Sequence, residues 1–177
     1  MEDSLGFPSS NPGKFEDLIG VPYLDGGRDP AVGLDCLGVV LLCAQARRLP
    51  YYDPWKLLLE KWTAGELELE DFDGFPTGWT RVHQVGQALE NDVVVYSITP
   101  EDVRGFLERL DGVDQAVDQA SLEGLLDRAR GRDLVPGHMG FLISDGLVVT
   151  ARVGVGVYTY PYDRELGQVA QLWRFAG

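Results

Sequence analysis

Positive charge is scarce in this chain, and so are histidine, cysteine and methionine. Only 15 Lys and Arg stand against 28 Asp and Glu, a formal charge of -13 over 177 residues. A surface of that sign repels a phosphate backbone or an anionic membrane, so nucleic acid is disfavoured as a partner. There are two histidines and two cysteines, in none of the paired spacings of zinc sites, so no structural metal is expected. Cys36 and Cys43 fall in one predicted helix. Two turns of rise hold their Cα atoms about 10.5 Å apart, beyond disulfide reach, and both are expected as thiols. No apolar run approaches the roughly 18 to 20 residues of a membrane span. The opening Met-Glu-Asp-Ser is acidic and lacks the basic start and apolar stretch of a secretion signal. The expectation is therefore no membrane span and no export signal. Internal repeats and low-complexity blocks are absent as well.

What remains is a globular composition, with 45% hydrophobic and 24% charged residues, enough for one domain with its own core over residues 1–177. Asn11-Pro12 starts a short helix that stops at Gly20, and the Gly/Asp/Pro-rich stretch from Val21 to Leu34 reads as irregular. Asp35 caps the next helix, whose apolar run from Leu37 to Ala44 demands burial on nearly all sides and which ends near Arg47-Arg48. Asp53-Pro54 opens a helix through Trp62, followed by an acidic loop from Gly65 to Gly78. Val93 to Tyr96 reads as a buried strand, and Thr99 to Arg132 as two amphipathic helices. Four strands follow: His138 to Ser144, Leu147 to Arg152, Val155 to Tyr160, and Val169 to Phe175. Helices first and mostly antiparallel strands last make an α+β pattern.

Chemistry concentrates at Leu34-Asp35-Cys36-Leu37-Gly38, where a cysteine begins a buried helix after a glycine-rich loop. Free N–H groups and the helix dipole favour a thiolate there, so its pKa is expected to fall, and the same N–H groups suit an oxyanion. The competing reading is a small buried residue packing like alanine, and Cys43, amid apolar neighbours, carries only that reading. A nucleophilic thiol needs a base, and the chain offers His83 and His138. His83 lies in a polar-flanked stretch and reads as a surface residue. His138 starts a strand on the face opposite Met139, Phe141 and Ile143.

The strand after it supplies a geometric test. With Ser144-Asp145-Gly146 as a three-residue hairpin loop and Gly146 left-handed, Ile143 pairs with Leu147, and Thr150 falls opposite Gly140. Leu147, Val149 and Ala151 then share the core face with Met139, Phe141 and Ile143, whereas a two-residue turn would flip the set. In that register Thr150 sits diagonal to His138, within reach of fixing its tautomer, and Arg152 lies opposite His138.

These pieces resemble a known family, the NlpC-type cysteine peptidases, cell-wall hydrolases of bacteria and phages with a reduced papain-like fold. The resemblance rests on Gly20-Val21-Pro22-Tyr23, Gly26-Gly27, Gly33-Leu34-Asp35-Cys36-Leu37-Gly38, Asn91-Asp92-Val93-Val94, His138-Met139-Gly140-Phe141-Leu142-Ile143 and Val148-Val149-Thr150-Ala151, in family order. It implies N-terminal helices, with the nucleophile helix packed on a mostly antiparallel sheet. It also implies Cys36 as nucleophile, His138 as general base and Thr150 as the polar group orienting it. Tyr23 matches the family tyrosine near the nucleophile, and Asp35 the aspartate that in some members meets the substrate's free amine. Each has a plainer reading too, Tyr23 as a core aromatic and Asp35 as an N-cap.

The implied substrates are peptidoglycan stem peptides, cleaved at γ-D-glutamyl to diaminopimelate bonds by acylation of Cys36 and hydrolysis, with no cofactor. Three departures from the family pattern stand out. Thr150 replaces the usual His, Asn or Gln, a weaker orienting group. Leu37 replaces the common Ser after the nucleophile, which is more like phage tail members and implies tail or tail-tip proteins as partners, with synthesis in the cytoplasm and delivery to the host envelope on a virion. Residues 99–137 form a helical insertion where the family has a short connection. Two other functions follow from the same residues: a structural component of a tail tip or injection device that has lost catalysis, and an intracellular amidase or acyltransferase of the same fold.

Overall fold

The computed structural model describes residues 14–51, 61, 78–98, 135–152, 154–163 and 169–177. The helix expected from Asp53, the acidic loop up to residue 77 and the helices expected between Thr99 and Arg132 lie outside the described residues, apart from Lys61, as do Asn11 and Pro12. Among the described residues the architecture is α+β, with one α-helix and a six-stranded antiparallel sheet.

The chain enters through a 3-10 turn, Phe15–Leu18, where an α-helix was expected, and Gly20 follows in a left-handed conformation. The segment expected to be irregular contains a small ribbon. Strand β1 (Arg28–Asp29) pairs antiparallel with β2 (Gly33–Leu34), and Tyr23 bridges to Leu34. Two-residue strands carry no alternation for a sequence pattern to reveal. Helix α1 (Cys36–Ala46) follows, with Asp35 as its cap. Every residue from Leu37 to Ala44 is buried, as the unbroken apolar run requires. The helix ends in a Schellman arrangement with left-handed Arg48 in the place usually taken by glycine: Leu49 N–H donates to the Ala44 carbonyl at 2.8 Å and Arg48 N–H to that of Gln45 at 2.9 Å.

The sheet runs in the order β3 (Trp79–Arg81), β8 (Val169–Phe175), β4 (Val93–Ile98), β5 (Val135–Leu142), β6 (Leu147–Arg152), β7 (Gly156–Pro161). β3 was not expected, since three residues beside a polar stretch give no periodic signal. β5 begins at Val135, so the last three residues of the expected insertion belong to the sheet. Period-2 alternation divides the sheet into two buried faces. Val93, Val95, Met139, Phe141, Val149, Ala151, Val157 and Trp173 pack with α1, whereas Val94, Tyr96, Leu142, Val148, Tyr160 and Leu172 form a second cluster.

The β5–β6 hairpin takes the expected register, with Phe141 paired to Val149 and Leu142 to Val148. Its loop is Ser144–Gly146, with Gly146 at φ 68° and Asp145 also left-handed at 63°. Strand β4 is set by Asn91-Asp92. The Asn91 N–H donates to the Leu142 carbonyl and the Leu142 N–H to that of Asp92, each at 2.8 Å. The Asp92 carboxylate, closed to solvent, receives a fork from Arg174 of β8 at 2.8 and 2.7 Å, and the Leu89 N–H at 2.8 Å.

Candidate active site

The site forms where α1 begins beside Met139 of β5. Asp35 Oδ1 accepts from the Gly38 N–H at 2.6 Å, satisfying one of the orphan donors of the first helical turn. Its other oxygen, Oδ2, accepts from the Gly26 N–H at 3.1 Å. Arg28 Nη1 donates both to Asp35 Oδ1 at 2.7 Å and to the Gly27 carbonyl at 2.8 Å. The loop thus lies hard against the helix: a Cβ on Gly38 would collide with the Gly27 carbonyl oxygen, and one on Gly27 with that of Gly33. Close approach of backbone to backbone is what glycine permits at these two positions.

Cys36 is the first residue of α1, half-buried and reduced. Two backbone N–H groups, those of Leu37 and Met139, point at its sulfur and favour the thiolate, as does the charge of Arg28. The Met139 contact puts the sulfur beside the residue that follows His138. Burial nonetheless dominates, and with the Asp35 charge it pushes the Cys36 thiol up to about 12. The expectation of a lowered pKa is thereby corrected. The helix terminus acts in the expected direction, but withdrawing the anion from water outweighs it.

His138 shares a face with Thr150 and Tyr96, whose ring centroid lies 5.9 Å from its own. Burial, aided by the Arg152 charge, pushes His138 down to about 4. At neutral pH the site therefore holds a thiol and a neutral imidazole.

Hydrogen bonds then determine the tautomer. The Thr150 hydroxyl has one proton and donates it to the Met139 carbonyl at 2.6 Å. Toward His138 Nε2, 3.0 Å away, it acts as acceptor, so Nε2 carries the ring proton and Nδ1 keeps its lone pair. Thr150 thus holds both the imidazole and the carbonyl of the residue whose N–H faces Cys36.

Tyr23 is half-buried against the core and donates to Asp25 Oδ1 at 3.4 Å. Burial raises its pKa, and so do the charges of Cys36, Asp25 and Asp35, which places its hydroxyl in the same neighbourhood. Of the two readings of Asp35, the hydrogen bonds display the N-cap: the residue is 1% exposed and both oxygens are engaged. Burial raises its pKa, against the opposing pull of Arg28. Cys43 is buried within α1 and His83 is exposed, as expected of both.

The structure thus brings Cys36, Tyr23 and Asp35 together at the start of α1 and pairs His138 with Thr150, and the link it shows between the two groups is the Met139 backbone, whose N–H meets the sulfur and whose carbonyl accepts from Thr150. Arg28 and the Met139 N–H went unnoticed in the sequence, the first because nothing marks an arginine in a glycine loop, the second because a backbone donor has no residue signature. Among the described residues no group of His, Cys, Asp and Glu could hold a metal ion, and no helix is long and apolar enough to cross a membrane. Compared with known proteins, the chain matches no family model and no curated protein.

Proposed function

We propose that this chain is a cysteine peptidase or amidase acting on peptidoglycan stem peptides at γ-D-glutamyl to diaminopimelate bonds. The observation that carries the chemistry is the Thr150 hydroxyl, which leaves His138 with a free Nδ1 lone pair, while the N–H of the next residue, Met139, meets a helix-terminal thiol. The substrate class rests on the motif resemblance, as does association with a phage tail. In the proposed reaction Cys36 Sγ attacks the amide carbonyl while its proton passes to His138 Nδ1. The Leu37 and Met139 N–H groups lie at hand for the developing charge. Collapse breaks the C–N bond, and the imidazolium returns the proton to the leaving amine. Water, deprotonated by the same imidazole, then hydrolyses the thioester and restores the thiol. Because thiol and imidazole both rest neutral, proton transfer accompanies attack.

The test is incubation of the protein with defined stem peptides between pH 5 and 9, with Cys36→Ala as control and mass spectrometry as readout. Release of the two expected fragments, lost in the control, supports the reading. No fragments at any pH, together with a Cys36 thiol inert to alkylation, overturns it.

One observation favours a second reading, a structural component of a tail tip or injection device that retains the fold without catalysis. It is the same burial that drives the thiol up and the imidazole down. Recovery of the chain in particles whose infectivity survives Cys36→Ala would support that reading over the first.

A further inference from the structure

The Asp35 carboxylate sits one residue from the candidate nucleophile, and its negative charge opposes thiolate formation. As the cap of α1 it cannot simply be dispensed with. One cation is bonded to it: Arg28, on β1, reaches across the ribbon to Oδ1 at 2.7 Å with 17% of its side chain exposed. The same Nη1 holds the Gly27 carbonyl at 2.8 Å, and that carbonyl packs against Gly38 of the first helical turn. A single guanidinium therefore ties the glycine loop, the cap and the start of α1 together, while setting a positive charge against the one negative charge adjoining Cys36 in the chain. Among the described residues, the Tyr23 hydroxyl also interacts with Cys36, with Asp25 beyond it, and His138 of β5 precedes the Met139 N–H that meets the sulfur. Both Tyr23 and His138 are uncharged at neutral pH.

We propose that Arg28 is a positioning residue for Cys36: by pairing with Asp35 it lets the aspartate cap the helix as a carboxylate while offsetting part of that charge's opposition to the thiolate. This rests on the reading of Cys36 as the reacting group, but not on any particular substrate. Asparagine caps a helix as well as aspartate does, yet this chain has an aspartate together with an arginine. The pair also closes the loop over the first turn, which a neutral cap with one acceptor would hold less firmly.

The experiment is the pH dependence of Cys36 alkylation by iodoacetamide, with Cys43→Ala as background so that one thiol reports. Arg28→Gln keeps a hydrogen-bond donor and removes the charge. It is expected to raise the apparent thiol pKa by about one unit, slowing alkylation about tenfold at a fixed pH below that pKa. Arg28→Lys keeps the charge and should stay close to wild type. The decisive variant is Arg28→Gln with Asp35→Asn: removal of the opposing charge should restore the rate that Arg28→Gln loses. A purely structural role for Arg28 would leave the double variant as slow as the single one, and that result overturns the proposal. So does an unchanged pKa in Arg28→Gln. If stem peptides prove not to be substrates, the alkylation profiles still decide the role of Arg28. Conversely, a protein that cleaves them with unaltered profiles loses this proposal alone.

Discussion

Two buried aspartates, each held by an arginine at 2.7 Å, stand at the start of an element: Asp35 before α1 and Asp92 before β4. They look alike, with 1% and 0% exposure, and each also accepts a backbone N–H from its own turn. Their surroundings differ. Asp92 takes a two-pronged fork from Arg174, which also grips the Gln87 carbonyl at 2.7 Å, so the pair staples β8 to the turn before β4. Val93 lies at the end of β4 paired with Phe141, away from the Tyr96–His138 pair. Asp35 takes one prong from Arg28 and adjoins a thiol. The ion pair ties a strand to a turn in one place and adjoins the candidate nucleophile in the other, and what separates them is the neighbour rather than the pair.

The largest expected effect probes the structural member. Asp92→Ala leaves Arg174 without its carboxylate and the Leu89 N–H without its acceptor, and should cost about 3 kcal/mol in urea unfolding. Since Asp92 touches nothing near Cys36, the alkylation profile of Cys36 should be unmoved. A shifted profile would break the comparison by showing that the two pairs communicate.

The next prediction concerns the neutral imidazole that distinguishes the first region. His138 is held at about 4 in the folded chain, whereas an exposed histidine titrates near 6.5. Between those values the unfolded chain binds a proton that the folded chain refuses. Stability is then fully present above pH 6.5 and is lost as pH falls toward 4, by about 3 kcal/mol at most. His138→Gln should flatten that part of the stability curve, and thermal melts at pH 7, 5.5 and 4 read it directly. The thiol works at the other end: Cys36 is pushed up from 9.0 to about 12, so its contribution is intact below pH 9.0 and declines as pH rises toward 12.

A smaller effect sharpens the role of Thr150. Thr150→Val keeps the shape and removes the hydroxyl, so the His138 tautomer is no longer set and the Met139 carbonyl loses its donor. If the chain acts as proposed, stem-peptide hydrolysis should fall about tenfold to a hundredfold through kcat, and Thr150→Ser should recover most of it. The smallest belongs to the hairpin. A methyl at Gly146 meets nothing within 4 Å, so Gly146→Ala should cost only the left-handed backbone penalty, about 1 kcal/mol, with the hairpin register kept.

Where neighbouring residues in the chain dictate the geometry, the sequence was legible. The apolar run with Asp35 ahead of it marked α1 and its cap, and core-facing alternation with a three-residue loop set the β5–β6 register and so put Thr150 within reach of His138. Strand β8 was expected with its observed ends, Val169 and Phe175. Elements too short to have a period, the β1–β2 ribbon and β3, were not legible. Nor was the sign of the Cys36 shift, because a helix N-terminus is a local feature whereas desolvation depends on everything packed above it.

By itself, then, the sequence determined which face of each strand is apolar, where the helix starts, and that Thr150 falls diagonal to His138 across the hairpin, since these follow from local sterics and periodicity. The tertiary structure alone decided that Arg28 pairs with Asp35, that the Met139 N–H meets the thiol, and that burial leaves thiol and imidazole neutral. Those outcomes depend on distances between segments far apart in the chain and on the water excluded between them, quantities that no single stretch of sequence contains.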